Sequence, residues 1–252
     1  MRSGYSKGLA SVISIKSYSP AYLTASSGEF VSRLCAAYEK RYPGEKFYDL
    51  QPALRYKAVS GLIQRCSLCP IRQEAIRPTP PSGNCLSPVV FVGRNPGKQE
   101  DSTGIPFYPG APIGFIFKKY LEILEVDRDA VYITNTLKCH TLNDRPPSDD
   151  ECSLCIPWLR VEMDYLVNAS VIFMVGNDAL RSFLGYSIQI MGVWGNVYIG
   201  NTESGDKVVL VPLLHPGQVR RNRSLMVEVE RLLLYIKPFV RKVMDRDGRQ
   251  TR

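Results

Sequence analysis

Two pairs of cysteines, Cys66-x2-Cys69 and Cys139-x15-Cys155, stand roughly seventy residues apart in this chain of 252 residues. Soft thiolate ligands spaced this way suit an iron–sulfur cluster or a zinc ion. Cys152 forms a second Cys-x2-Cys with Cys155, so a zinc site built from Cys66, Cys69, Cys152 and Cys155 is equally open to the residues alone. Two polar loops, Gly93-Arg94-Asn95-Pro96-Gly97 and His215-Pro216-Gly217, each follow a short apolar run that reads as a strand. Loops at the strand ends of an α/β sheet are where ligands bind. His215 is one of only two histidines, and a neutral imidazole can donate one proton from a fixed tautomer.

Those loops need strands to carry them. Four β-rich runs, at 88–92, 130–133, 170–175 and 207–213, are nearly continuous, as in strands buried on both faces. Helical periods fall at 113–124, 149–166 and 177–184, and a last one at 225–236 should stop ahead of Pro238. The alternation argues a parallel sheet with helices on both sides. Upstream, Ser26-x-x-Glu29 reads as a capping box. The helix it opens has Phe30, Val31, Leu34, Cys35 and Tyr38 on one face and ends before Pro43. A second helix, with Leu54, Ala58 and Leu62 on one face, runs into Cys66, and 77–84 is a loop by composition. The expected organisation is an extension over 1–50, a domain over 51–242 and a charged, frayed tail over 243–252.

Composition narrows the class. An apolar fraction of 44% and a charged fraction of 22% are those of an ordinary globular protein. The net charge of +8 is either a solvated basic surface or an attraction to a polyanion. Seven cysteines, an odd number, do not make the framework of a small secreted domain. No apolar run approaches eighteen residues and no signal peptide is visible. A reducing, cytoplasmic setting with no membrane partner is expected, where paired cysteines hold metal.

The motifs add up to a family. Val131 to Cys139 (Val-Tyr-Ile-Thr-Asn-Thr-Leu-Lys-Cys), Asn143-Asp144-Arg145-Pro146-Pro147, and Glu151 through Cys155-Ile156-Pro157-Trp158-Leu159 resemble the iron–sulfur uracil-DNA glycosylases, family four. So do Gly97-x2-Glu100-Asp101-x2-Gly104-x-Pro106-Phe107 and His215-Pro216 with Arg221-Asn222. The resemblance covers about residues 55–240. It implies an α/β fold with a central four-stranded parallel sheet flanked by helices, its site at the strands' C-terminal ends. It also implies a structural [4Fe–4S] cluster on Cys66, Cys69, Cys139 and Cys155, preferring Cys139 to Cys152. The activity implied is that of a monofunctional, monomeric DNA glycosylase that hydrolyses the N-glycosidic bond of uracil in single- or double-stranded DNA, starting base excision repair. Two rivals share the fold: a non-catalytic iron–sulfur DNA-binding adaptor, and a glycosylase for another deaminated or mismatched base.

The reaction assigns work to residues. The nucleotide swings out of the helix, and negative charge gathers on the departing pyrimidine, chiefly at O2. By the resemblance, His215 donates to O2, Asn135 reads the N3–H and O4 edge, Phe107 stacks on the base and Gly93 lines the pocket. The family's Gly-Glu-Ala-Pro-Gly is here Gly93-Arg-Asn-Pro-Gly97. Asn95 thus stands where related glycosylases hold an Asn that positions the water. Glu100, paired with Asp101, assists the water, steadies the sugar cation or merely opens a loop. After His215, Val219 is the expected groove wedge, and Arg220 and Arg221 the phosphate contacts. His140 is a further candidate phosphate contact. The segment Tyr108–Gly114 is longer than the family's and borders the pocket.

Overall fold

The computed structural model describes residues 12–14, 27–184, 189–201 and 206–250; the expected capping box at Ser26 lies outside them. The four apolar runs form β3 (Val89–Gly93), β4 (Tyr132–Asn135), β5 (Val171–Val175) and β7 (Lys207–Leu213). Every residue of β3, β4 and β5 is buried, which is why their sequences show no alternation. They pair in parallel in the order β7-β5-β3-β4, the expected four-stranded core.

Three strands extend this core into a seven-stranded mixed sheet, ordered β1-β6-β7-β5-β3-β4-β2. β6 (Val197–Asn201) runs antiparallel to β7, β1 (Val12–Ser14) lies parallel to β6, and β2 (Ser82–Gly83) runs antiparallel to β4. β2 has no apolar pattern and forms through Gly83, whose φ of +88° and missing Cβ let its backbone lie against the Val131 carbonyl.

Register decides where the site falls. Gly93 pairs with Asn135, and Val175 with Leu213, so β3, β4, β5 and β7 end level with one another. The residues at or just past those ends are Gly93, Asn135, Gly176 and His215. Neighbouring strands stand about 4.8 Å apart, so the His215 loop and Asn135 flank a span of roughly 14 Å across three spacings.

The helices are α1 (Ser27–Arg41), α2 (Pro52–Gln64), α3 (Ile71–Glu74), α4 (Lys98–Thr103), α5 (Pro112–Leu124), α6 (Asp149–Tyr165), α7 (Asn177–Leu184), α8 (Ile190–Val193), α9 (Pro216–Arg221) and α10 (Leu225–Gln250). Two differ from expectation. In α2 the inward face is Val59 and Ile63, whereas Leu54 is 51% exposed. Val59 and Ile63 join Phe47 and Ile71 in one cluster, and that packing decides the face. α10 does not stop before Pro238 but continues to Gln250, through the described part of the expected tail. Val229, Leu232, Leu233, Ile236, Val240 and Val243 continue one buried stripe past the proline. Pro238 and Leu234 are both exposed, so the carbonyl that loses its donor faces water.

Two apolar cores result. The larger surrounds the sheet, with Phe91 stacked on Phe173 at 4.6 Å. The smaller gathers α1, α2 and α6 around Leu137, Cys139, Cys155 and Trp158. Helix α1 of the N-terminal extension is therefore built into this second core: Leu34, Cys35 and Tyr38 are buried in it, and the Phe30 ring meets Trp158 edge-on at 4.9 Å.

Candidate active site and cysteine cluster

The strand ends bring a set of side chains together. Gly93 sits between Asn135 and Phe107: a Cβ there would overlap Asn135 Oδ1 and stand 2.7 Å from Phe107 Cζ. Phe107 is 2% exposed, stacks on Phe117 at 4.4 Å and reaches the His215 ring at 6.0 Å. Gly93, Phe107, Asn135 and His215 thus border one shared locus. Asn135 is buried, and its Nδ2 finds no hydrogen-bond partner among the described residues. A buried amide donor without a partner is unfavourable and points to a ligand that supplies the acceptor.

The tautomer of His215 follows from its N-cap position. Gly217 N–H donates to Nδ1 at 3.1 Å, and a backbone N–H can only donate. Nδ1 is therefore the lone-pair nitrogen and Nε2 carries the proton. Burial holds the ring's pKa down at about 4, with the Arg94 and Arg221 charges adding, so His215 is neutral at pH 7. Gln218 Oε1 accepts from the His215 backbone N–H at 3.1 Å. Gly176, at φ +94°, lies where a Cβ would come within 3.3 Å of His215 Cβ. Sequence reading missed Gly176; its place directly after a buried strand was the available signal.

Phe107 has a φ of +47°, a left-handed conformation that costs a non-glycine residue about 1–3 kcal/mol. Two residues hold it there. Glu100 accepts from Phe107 N–H through one oxygen and from Gly97 N–H at 2.5 Å through the other. Arg128 donates to the carbonyls of Phe107 at 3.2 Å and Pro106 at 2.5 Å. Burial raises the Glu100 pKa, opposed by those same backbone bonds. Each Glu100 oxygen thus accepts from one backbone N–H, so the carboxylate clamps this loop. Asp101 likewise binds the backbone N–H groups of Ile76 and Arg77 at 3.0 and 3.3 Å. Arg128, 21 residues after Phe107 and on a short 3-10 turn, carried no signal in the sequence.

Asn95 is partly buried in the loop after β3. Its Oδ1 accepts from Arg94 Nε, and its Nδ2 donates to Pro96 O at 3.1 Å and Thr141 Oγ1 at 3.4 Å. One lone pair of Oδ1 remains for a water. His140 is buried and its Nδ1 meets Pro96 O at 2.9 Å, so it braces this loop. In α9, Arg220 and Arg221 are exposed. Val219 corrects an expectation: it is 3% exposed and packs in the larger core, so it presents no wedge to a groove. Its side chain lies on the α9 face that docks the helix.

Burial pushes Cys139 up to about 12, with Cys69 and Cys66 adding, and raises Cys155 further, with Cys139 and Cys69 contributing. Those four sulfurs therefore sense one another. Burial, and then Asp178, pushes Cys152 up to about 11, and it packs against the same apolar cluster as the other four. It lines a separate cavity of about 30 Å³ with Arg94, Asp178 and Arg181, between α6 and α7. Two N–H donors point at the group of four: Lys138 N–H to Cys155 Sγ and Trp158 Nε1–H to Cys66 Sγ, both at 3.3 Å. Arg145, from the Asn-Asp-Arg-Pro-Pro segment, forks between Glu74 and Glu151 at 2.6 Å each, tying the loop between Cys139 and Cys155 to α3 behind Cys69. It holds Glu151 down at about 2. Among the described residues, no three His, Cys, Asp or Glu side chains stand close enough to share a single metal ion.

Comparison with known proteins agrees with this architecture. Residues 80–236 match the family model of the uracil DNA glycosylase superfamily. A type-4 uracil-DNA glycosylase of Thermotoga maritima is 34% identical over 188 residues, covering 71% of this chain and 93% of that protein. The type-4 enzyme of Pyrobaculum aerophilum is 32% identical over 68% of this chain and 87% of its own. That of Saccharolobus solfataricus is 29% identical over 75% and 80%. This chain belongs to the uracil DNA glycosylase superfamily, alongside its type-4 members.

Proposed function

We propose that this protein is a monofunctional uracil-DNA glycosylase that begins base excision repair by hydrolysing the bond between uracil and C1′ of deoxyribose. The observation that carries the reading is the shared locus at the strand ends: an unpartnered Asn135 Nδ2, a strained and buried Phe107, and a neutral His215 with Nε2–H free to donate. An extruded uracil enters against Phe107, where stacking contributes about 1–3 kcal/mol. Asn135 Nδ2 donates to O4 and its Oδ1 accepts from N3–H. As the glycosidic bond breaks, His215 Nε2–H donates to the charge growing on O2; removing one such donor typically slows a reaction about 10²–10³-fold. Asn95 Oδ1 orients the water at C1′. An amide is a weak base, so the chemical step is slow relative to enzymes with a carboxylate there. Arg220 and Arg221 meet the DNA backbone, in keeping with the net charge of +8. No helix among the described residues is long and apolar enough to cross a membrane.

Cys66, Cys69, Cys139 and Cys155 would hold a [4Fe–4S] cluster. Their donor set fits: soft sulfurs from three separate segments, Cys139 and Cys155 buried and Cys66 and Cys69 partly so, with N–H groups aimed at two of them. The cluster would cross-link segments far apart in sequence and take no part in bond breaking. The protein acts as a monomer in the cytoplasm.

The test is a panel of oligonucleotides bearing uracil, hypoxanthine or mismatched thymine, single- and double-stranded, with His215→Ala alongside. Alkali-labile product from the uracil substrates, reduced about 10²–10³-fold in the variant, is expected. An iron-loaded protein that binds these DNAs without product is the adaptor, and product from another base alone reassigns the substrate.

A further inference from the structure

Behind Asn135 lies a buried ion pair that no step above uses. Lys138 is 1% exposed and Glu162 is fully buried, and their Nζ and Oε1 atoms stand 2.7 Å apart. The contact is a close charge pair, although its angle lies off the line of a hydrogen bond. The ammonium also donates to the Asn135 carbonyl at 2.6 Å and to Thr134 Oγ1 at 2.8 Å. Lys138 is held by its own backbone too: its N–H donates to Cys155 Sγ, and its carbonyl accepts from Thr79 N–H at 2.6 Å. Cys155 and Glu162 lie two turns apart on α6, one above the other on a single face. One helix therefore reaches both ends of Lys138.

A buried ammonium is unfavourable unless something needs it. Ending β4 does not: the backbone N–H groups of Thr136 and Leu137 already bind the carbonyls of Gly93 and Arg94 at 2.9 and 2.8 Å. What the ammonium adds is a grip on the Asn135 carbonyl, hence on the peptide plane beside the Cα from which the amide projects. Asn135 needs that grip, because its Nδ2 has no partner among the described residues to hold the side chain from the front.

We propose that Lys138, anchored by Glu162, is a positioning residue for base recognition, holding Asn135 from behind. The inference rests on Asn135 reading the base. Because α6 also carries Cys155, the same anchor couples the thiol group to the base pocket.

The test uses the purified full chain and the double variant Lys138→Met/Glu162→Leu, since apolar groups of similar volume replace a buried pair without loss of fold. Inhibition by free uracil, affinity for abasic-site DNA, Tm and visible absorbance are measured together, with Asn135→Ala alongside. Losing a charge-assisted bond should weaken uracil inhibition about tenfold and slow excision comparably. Affinity for abasic DNA, Tm and absorbance should stay at the wild-type values. If Asn135→Ala leaves uracil inhibition unchanged, the base-reading role of Asn135 fails, and this inference with it. If Asn135→Ala weakens it while the double variant does not, Lys138 has no positioning role. Equal losses of uracil inhibition, DNA affinity and Tm mean a general prop and also overturn the proposal. If the double variant does not fold, Glu162→Gln decides by the same measurements, with a smaller loss of uracil inhibition expected and wild-type inhibition fatal.

Discussion

Gly93→Ala is the smallest change that tests the base pocket. The added methyl would stand 2.7 Å from Phe107 Cζ and 3.0 Å from Cε2, and would overlap Asn135 Oδ1. Ordinary contact begins near 3.4 Å, so the phenyl ring must retreat by about 0.7 Å. It has nowhere to go. Its far face is stacked on Phe117, and its backbone is clamped by Glu100 and Arg128. Asn135 is fixed opposite by strand pairing and by Lys138. Overpacking of this kind costs about 1–3 kcal/mol of stability. A displacement approaching 1 Å at the reacting group slows catalysis about 10²-fold, because the near-attack geometry is lost. Thermal unfolding and single-turnover excision from a uracil oligonucleotide read the two effects separately. A variant that keeps both the wild-type rate and the wild-type Tm would show that Gly93, Phe107 and Asn135 do not enclose the base.

Glu100→Gln keeps the size but turns one acceptor into a donor that faces a backbone N–H of Gly97 or Phe107. An unsatisfied buried pair there should lower stability by about 1–3 kcal/mol and lower excision through Phe107, with the shape of the pH–rate profile unchanged. Loss of the profile's acidic limb would instead make Glu100 the base. The His215 shift gives a pH test with a definite sign. Its native pKa is held near 4, below the ordinary 6.5, so between those values the unfolded chain binds a proton that the native state refuses. The stability this group contributes is complete above pH 6.5 and is lost as pH falls toward 4. The neutral donor itself persists, so the single-turnover rate should hold from pH 7 to about 5 while Tm declines. A rate that falls with a midpoint near 6.5 would sink the argument.

Much of the scaffold was legible before folding. Strands buried on both faces read as unbroken apolar runs, so β3, β4, β5 and β7 stood out, with the residues just past their ends. The four thiols of the resemblance were separable from Cys152 only by that resemblance; spacing could not choose, and in the fold Cys152 also lines a cavity between α6 and α7. β1, β2 and β6 are short edge pieces whose pairing partners lie far along the chain, and no local pattern announces them. Pro238 read as a stop because a proline removes a helical bond; only the fold places it and Leu234 on the exposed side of α10, where a freed carbonyl is tolerated.

Residue types and order therefore determined the family, the parallel sheet and the histidine, asparagine and phenylalanine near its ends. Tertiary structure alone decided what each polar atom touches. It turned Glu100 into a backbone clamp, sank Val219 into the core, brought in Arg128 to hold Phe107, and joined Lys138 to Glu162 behind Asn135. The reason is physical. Hydrophobic period and turn chemistry are local properties of the chain, whereas a hydrogen bond or an ion pair depends on two groups that only the finished packing brings within 3 Å of each other.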